Sequence, residues 1–195
     1  TKDITLNGNV IETSVLNAAK NITIQGTTIK NAALIATENV FINKDSEVLE
    51  QTLNITGDVS SNNFEAVAKT QTFGGTISVT NDFISKGESL IFAKAVTVNQ
   101  DAQIQNTGLL KISDFVYGKS FVQDGIGQVM ISGSFVQSGE TENPTATFGS
   151  NVYFYNSSQN SLDITIGSDK SSILIDGNLI IAKSKENDVA IKGTV

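Results

Sequence analysis

Carboxylates and tyrosines are the side chains of this chain whose types and spacing could do chemistry, because the other usual agents are absent. There is no Cys, His or Trp, and all thirteen basic residues are Lys. Thiolate nucleophiles, disulfides and imidazole ligands are therefore excluded. Glycoside hydrolysis would need two acids flanking one bond. The 20 Asp and Glu residues are scattered between apolar stretches with no pair set apart, and they read as solvating charges. NKDSEV (43–48) begins like a calcium loop, but it has Val48 where the sixth-position Gly belongs and Asn54 where the bidentate Glu belongs. The expectation is no catalytic residue, no cofactor and no metal.

The tyrosines are more pointed. Eight of the thirteen aromatic residues fall in 115–155: Phe115, Tyr117, Phe121, Phe135, Phe148, Tyr153, Phe154 and Tyr155. In NVYFYN (151–156) strand alternation puts Tyr153 and Tyr155 on one face and Phe154 on the other. With Phe154 inside, two tyrosines are displayed, and Tyr117, Tyr153 and Tyr155 are the candidate contacts for a protein or glycan partner. Aromatics that simply fill a wider interior are the competing reading. SFVQ occurs at 120–123 and again at 134–137, a spacing that predicts either a narrowing coil or a hairpin excursion.

What would position these residues is a repeat. DITLNGNVIETSVLNAAK (3–20), NITIQGTTIKNAALIATE (21–38) and NVFINKDSEVLEQTLNITGD (39–58) share one skeleton. Aligned, they give the columns Ile4, Ile22, Val40 and Leu6, Ile24, Ile42, alternating with Thr5, Thr23, Phe41 as half-buried strands do. Asn7, Gln25 and Asn43 follow as a corner amide column, with Gly8 and Gly26 marking the bend. Further columns are Ile11, Ile29, Val48, then Leu16, Leu34, Leu53, then Ala18, Ala36, Ile55, with a one-residue insertion near Lys44 in the third unit. Three short strands of about 3.3 Å per residue close a three-sided coil of about 18 residues, and stacked coils turn each apolar column into an interior ladder.

The same strand word returns as TISVT (76–80), AVTVN (95–99), LLKIS (109–113), QVMIS (128–132), LDITI (162–166), SILID (172–176) and DVAIK (188–192). This predicts an all-β solenoid of about ten rungs of roughly 18–20 residues in a single domain over 1–195, with an irregular aromatic-rich part and loop at about 115–155. The poorest match is 59–75, where FEAVAK reads equally as a helical turn or a degenerate strand. Pro144, in SGETENPT (138–145), reads as a surface loop.

Composition narrows the partners. The net charge of −7 repels a phosphate backbone, so nucleic acid is not an expected partner. No run of about 18 apolar residues is present, so no membrane insertion is expected. A chain that opens on Thr1 without an apolar leader reads as a mature form or an excised piece.

The unit NITIQGTTIKNAALIATE resembles the rungs of filamentous-haemagglutinin-type adhesins, the exoproteins of bacterial two-partner secretion. The likeness covers about 3–58. It implies a secreted, right-handed parallel β-helix acting as a stalk or adhesive surface. ISGSF (131–135) and IDGNL (175–179) resemble the rungs of bactofilins, a likeness that implies a cytoplasmic polymer instead. Polysaccharide lyases are similar in architecture, but they use Arg or Lys as a base beside a calcium-binding acidic cluster, and no Arg is present. The expectation is a bacterial extracellular or cell-surface structural or adhesive element without catalysis. Its partners would be a host or neighbouring-cell surface protein or glycan, or the chain itself end to end, since DITLN and DVAIK lie close to the two ends. A self-assembling filament or surface-layer subunit is the alternative, and a carbohydrate-active enzyme the remote one.

Overall fold

The computed structural model describes residues 2–44, 46, 51–138, 141, 144–156, 164–183 and 189–193. Among these residues the secondary structure is all strand, with no helix, and every strand pairing is parallel. The chain forms a three-sided β-solenoid. Nine strands build the first face, from Ile4–Asn7 through Ile22–Gln25 and Asn39–Ile42 to Ser172–Ile175. The second and third faces share one sheet, because Thr28–Ala36 runs round their corner unbroken: its first half pairs with Thr52–Ile55 and its second with Val59–Ser61.

Nine strands on the first face replace the expected ten rungs. Corner insertions consume the difference. Val40 pairs with Phe64, Phe121 with Ala146 and Ala146 with Ile173, all wider than the 18-residue step from Ile4 to Ile22 to Val40. The insertion in the third rung is also longer than one residue, and this shifts two expected columns. Leu53 stacks on Ile29 rather than Leu34, and Ile55 stacks on Asn31 rather than Ala36, while Leu34 takes Val59. Ile11–Ile29, Leu16–Leu34 and Ala18–Ala36 hold as aligned. Val48, with Asp45 and Glu47 of NKDSEV, lies outside the described residues.

The columns Ile4–Ile22–Val40 and Leu6–Ile24–Ile42 are in the expected register. Ile22, Ile24, Val40 and Ile42 are wholly buried. From the fourth rung the columns become aromatic: Phe64 stacks on Phe83 (centroids 5.1 Å apart, 9° between planes) and Phe73 on Phe92 (5.4 Å, 19°). Each rung alone could not hide these faces; its neighbours do.

Two local expectations are corrected and one open alternative is decided. Of the two readings of FEAVAK the strand holds: Asn63–Val67 is one strand of the first face, and Phe64 and Ala66 point inward beneath Phe83 and Ser85. Ladder bonds to both neighbours outweigh the weak helix preference of Glu, Ala and Lys. Pro144 is buried, not a surface loop residue; it leads into the strand Thr145–Phe148 and its carbonyl accepts from Ser172 N–H at 3.0 Å, a strand-start position where the missing donor costs nothing. The two SFVQ words mark neither a narrowed coil nor a hairpin. Ser120–Asp124 is on the first face and Phe135–Gln137 on the third face of the same rung.

The corner chemistry is also relocated. Asn7 and Gln25 pair in register, but Asn43, in a left-handed conformation (φ 49°), turns its amide onto the Gly26 backbone, accepting from its N–H (2.8 Å) and donating to its carbonyl (3.0 Å). The continuous amide ladder stands at the start of the first face. Asn21 donates to Asp3, Asn39 to Asn21 and Asn63 to Asn39, at 2.8, 2.7 and 2.6 Å. Gly26 is required where it is, because a β-carbon there would lie 2.6 Å from the Gly8 carbonyl of the rung beneath.

Candidate contact surface on the second face

Outward columns on the second face change character along the axis. In register, Lys30, Asn54, Thr72, Ile91, Lys111, Met130, Tyr153 and Ile180 stand one above another. The column is polar at its start and apolar over its last three members. Phe154 is buried, so strand alternation puts Tyr153 and Tyr155 outside, where both are half-buried. This is the arrangement expected for those two residues.

Tyr117 is not part of it. In Phe115–Tyr117 both aromatic residues share the inward parity, and Tyr117 is completely enclosed against Phe121 and Phe135. Burial raises its phenol pKa. The Ser171 hydroxyl moderates that rise, but it does not reach hydrogen-bonding geometry and the buried oxygen has no partner. Tyr117 is therefore corrected from a contact candidate to a core residue.

The two displayed tyrosines line separate hollows. Tyr153 walls a cleft of about 350 Å³ with Ile126, Gln128, Ser150, Asn151 and Asp176, over the side-chain-free Gly127 and Gly149. Ile126 is 86% exposed at its lip. The Ser150 hydroxyl donates to the Gly127 carbonyl at 2.6 Å, and Asn151 accepts from Asn178 N–H at 2.8 Å, so the polar wall is held by rung-to-rung bonds. Tyr155 lines a hollow of about 250 Å³ on the other flank, with Ile91, Lys111, Ser113 and Ser132.

Charges elsewhere are engaged along the axis. Among the described residues the ion pairs are Glu12–Lys30, Lys20–Glu38, Lys44–Glu65, Lys69–Glu88 and Asp101–Lys119, each joining adjacent rungs at 2.8 to 3.7 Å. The Lys30 hydrogen bond, then its charge, lowers the Glu12 pKa. At Asp101 burial pushes the pKa up, but hydrogen bonds from Ser120 and Lys119 and the Lys119 charge together bring it below the ordinary value. Among the described residues no three acids converge as a metal site would require.

Buried polar groups went unforeseen. Gln71 occupies an inward position between Leu53 and Leu90, donating to the Lys86 carbonyl at 2.8 Å and accepting from Ser85 Oγ at 2.9 Å. Gln123 donates to Asn106 Oδ1 at 2.8 Å and accepts from Gly149 N–H at 3.0 Å beneath the Tyr153 cleft. The one signal available was parity: both glutamines fall at apolar positions of an otherwise alternating strand.

No protein-family model, curated protein or solved structure matches the chain.

Proposed function

We propose that this chain is a cell-surface structural or adhesive β-solenoid that works by display rather than catalysis. The observation that carries the reading is the division of its outward columns. The ion-paired charges tie rung to rung, whereas Met130, Tyr153 and Ile180 form an exterior apolar column with no such internal use. The likeness of 3–58 to filamentous-haemagglutinin-type rungs supports the extracellular placement, and the lack of Arg, His and Cys supports the non-catalytic one. Antibodies raised against the chain should label intact producing cells, and the label should vanish after mild external proteolysis. Label confined to permeabilised cells would overturn the surface reading. Release of reducing or unsaturated sugar ends from polysaccharides by the purified chain would overturn the non-catalytic one.

Axial self-assembly is the second reading, favoured by Ile181 and Ile191. Both occupy inward columns of the last described rung yet are 39% and 47% exposed, so a further rung stacked there, continuing this chain or supplied by a second copy, would bury them. Light scattering that grows with concentration supports a filament; a monomer at high micromolar concentration removes it.

A further inference from the structure

The outer surface around Tyr153 carries two kinds of column side by side. Met130, Tyr153 and Ile180 are stacked in register. Two residues earlier in the chain, Gln128 at the start of its strand and Asn151 just before the next one bring amides alongside, and Asn178, just before the strand after that, continues the row by donating to Asn151. Positions two apart on a strand are about 6.7 Å apart, so an apolar strip runs beside an amide strip at the width of one six-membered ring. Asp176 adds an exposed carboxylate at the edge.

We propose that the Tyr153 cleft is a binding site for a neutral saccharide. A pyranose has an apolar C–H face and a rim of hydroxyls that both donate and accept. The Tyr153 ring offers the flat apolar partner, and the amides and carboxylate offer acceptors and donors along one side of it. A volume of about 350 Å³ sits at the small end of ligand sites and accommodates one or two sugar rings. Charge selects among sugars. No Lys lines the cleft, while Asp176 does, so uronic or sulfated sugars meet a like charge with nothing to offset it. The Tyr155 hollow differs: it contains Lys111 and lacks the amide row. The proposal deepens the display reading by naming what is held.

Tyrosine fluorescence reads the site directly, since there is no Trp and Tyr117 is enclosed. The full chain is titrated with cellotriose, chitotriose and mannotriose, and with trigalacturonate as the anionic comparison. At least one neutral trisaccharide should give a saturable change. Because Tyr153 is itself the reporter, its variants are read by calorimetry: Tyr153→Ala should weaken binding about tenfold or more, Tyr153→Phe should retain it, and Tyr155→Ala should stay within about twofold. Trigalacturonate should bind at least about tenfold more weakly than the best neutral sugar, and Asp176→Asn should narrow that gap. Gln128→Ala, read by calorimetry, gives an independent loss if Tyr153→Ala fails to fold. No saturable binding of any neutral trisaccharide, binding indifferent to both Tyr153→Ala and Gln128→Ala, or preference for trigalacturonate would overturn the site. A negative result leaves the surface role standing, because cell labelling tests that separately.

Discussion

Phe121 and Phe135 meet edge-to-face inside the coil, their ring centroids 4.8 Å apart and their planes at 84°, although they belong to different faces of one rung. Phe121 also touches Phe148, and Phe135 stacks on Phe115, so this pair joins a lateral contact to two axial ones. Phe121→Ala and Phe135→Ala should each cost about 3–5 kcal/mol, and the double variant should cost less than the two together, since each single change already opens the shared contact. Chemical denaturation of the three variants measures this. Strict additivity would mean that the rings do not support one another.

Ile24 is fully buried between Leu6 and Ile42, and Thr23 points outward one residue away. Ile24→Asp places an unpaired charge in the interior and should destabilise by several kcal/mol. Thr23→Asp should cost less than about 1 kcal/mol. Thermal melts that move equally for both would contradict the register.

Gln71 and Ser85 form a polar couple within apolar columns. Ser85→Ala alone strands the Gln71 acceptor and should cost about 1–3 kcal/mol. Gln71→Leu with Ser85→Ala restores an apolar stretch from Leu53 to Leu90 and should lie within about 1 kcal/mol of the parent. A double variant less stable than Ser85→Ala would show that the couple stabilises the fold rather than merely being tolerated.

Asp58 receives Thr76 N–H and Thr76 Oγ1–H on one oxygen, both at 2.8 Å. The backbone bond, then the hydroxyl bond, hold its carboxyl below the usual 3.8 against the opposing effect of burial, with the smallest contribution from the Lys94 charge. Because the folded value is the lower one, the stabilisation is fully present above the unfolded pKa of about 3.9 and is lost as pH falls through the folded pKa. Glu12 and Asp101 act in the same direction. Melting temperature should therefore fall on acidification below about pH 4, and Asp58→Asn should flatten that limb. An unchanged acid limb in the variant would contradict the assignment.

The first two rungs were legible because they repeat without insertion: Ile4 and Ile22, eighteen residues apart, have near-identical surroundings and pair as read. Legibility failed where one word serves several faces. TISVT contributes to the third face, LLKIS to the second and SILID to the first, so measuring between them mixes positions around the coil with positions along it. Leu53 was misplaced because a corner can absorb extra residues while its flanking strands keep their pairing. Of the three tyrosines, parity alone separates Tyr117, two residues from the inward Phe115, from Tyr153 and Tyr155, which flank the inward Phe154. Gln71 was illegible for a different reason. Its neighbours say core and its side chain says surface, and only the carbonyl and hydroxyl brought to it by the next rung reconcile the two.

The unbroken steps from Phe64 to Phe83 to Ala102 to Phe121 make molecular length an adjustable quantity. Excising residues 83–101 would set Ala102 directly on Phe64, shortening the rod by one spacing of about 4.8 Å while every strand retains a parallel neighbour. Duplication of the same segment would lengthen it by the same increment. Recombination between such repeats can change the length of the rod while the rungs around Tyr153 keep their own packing.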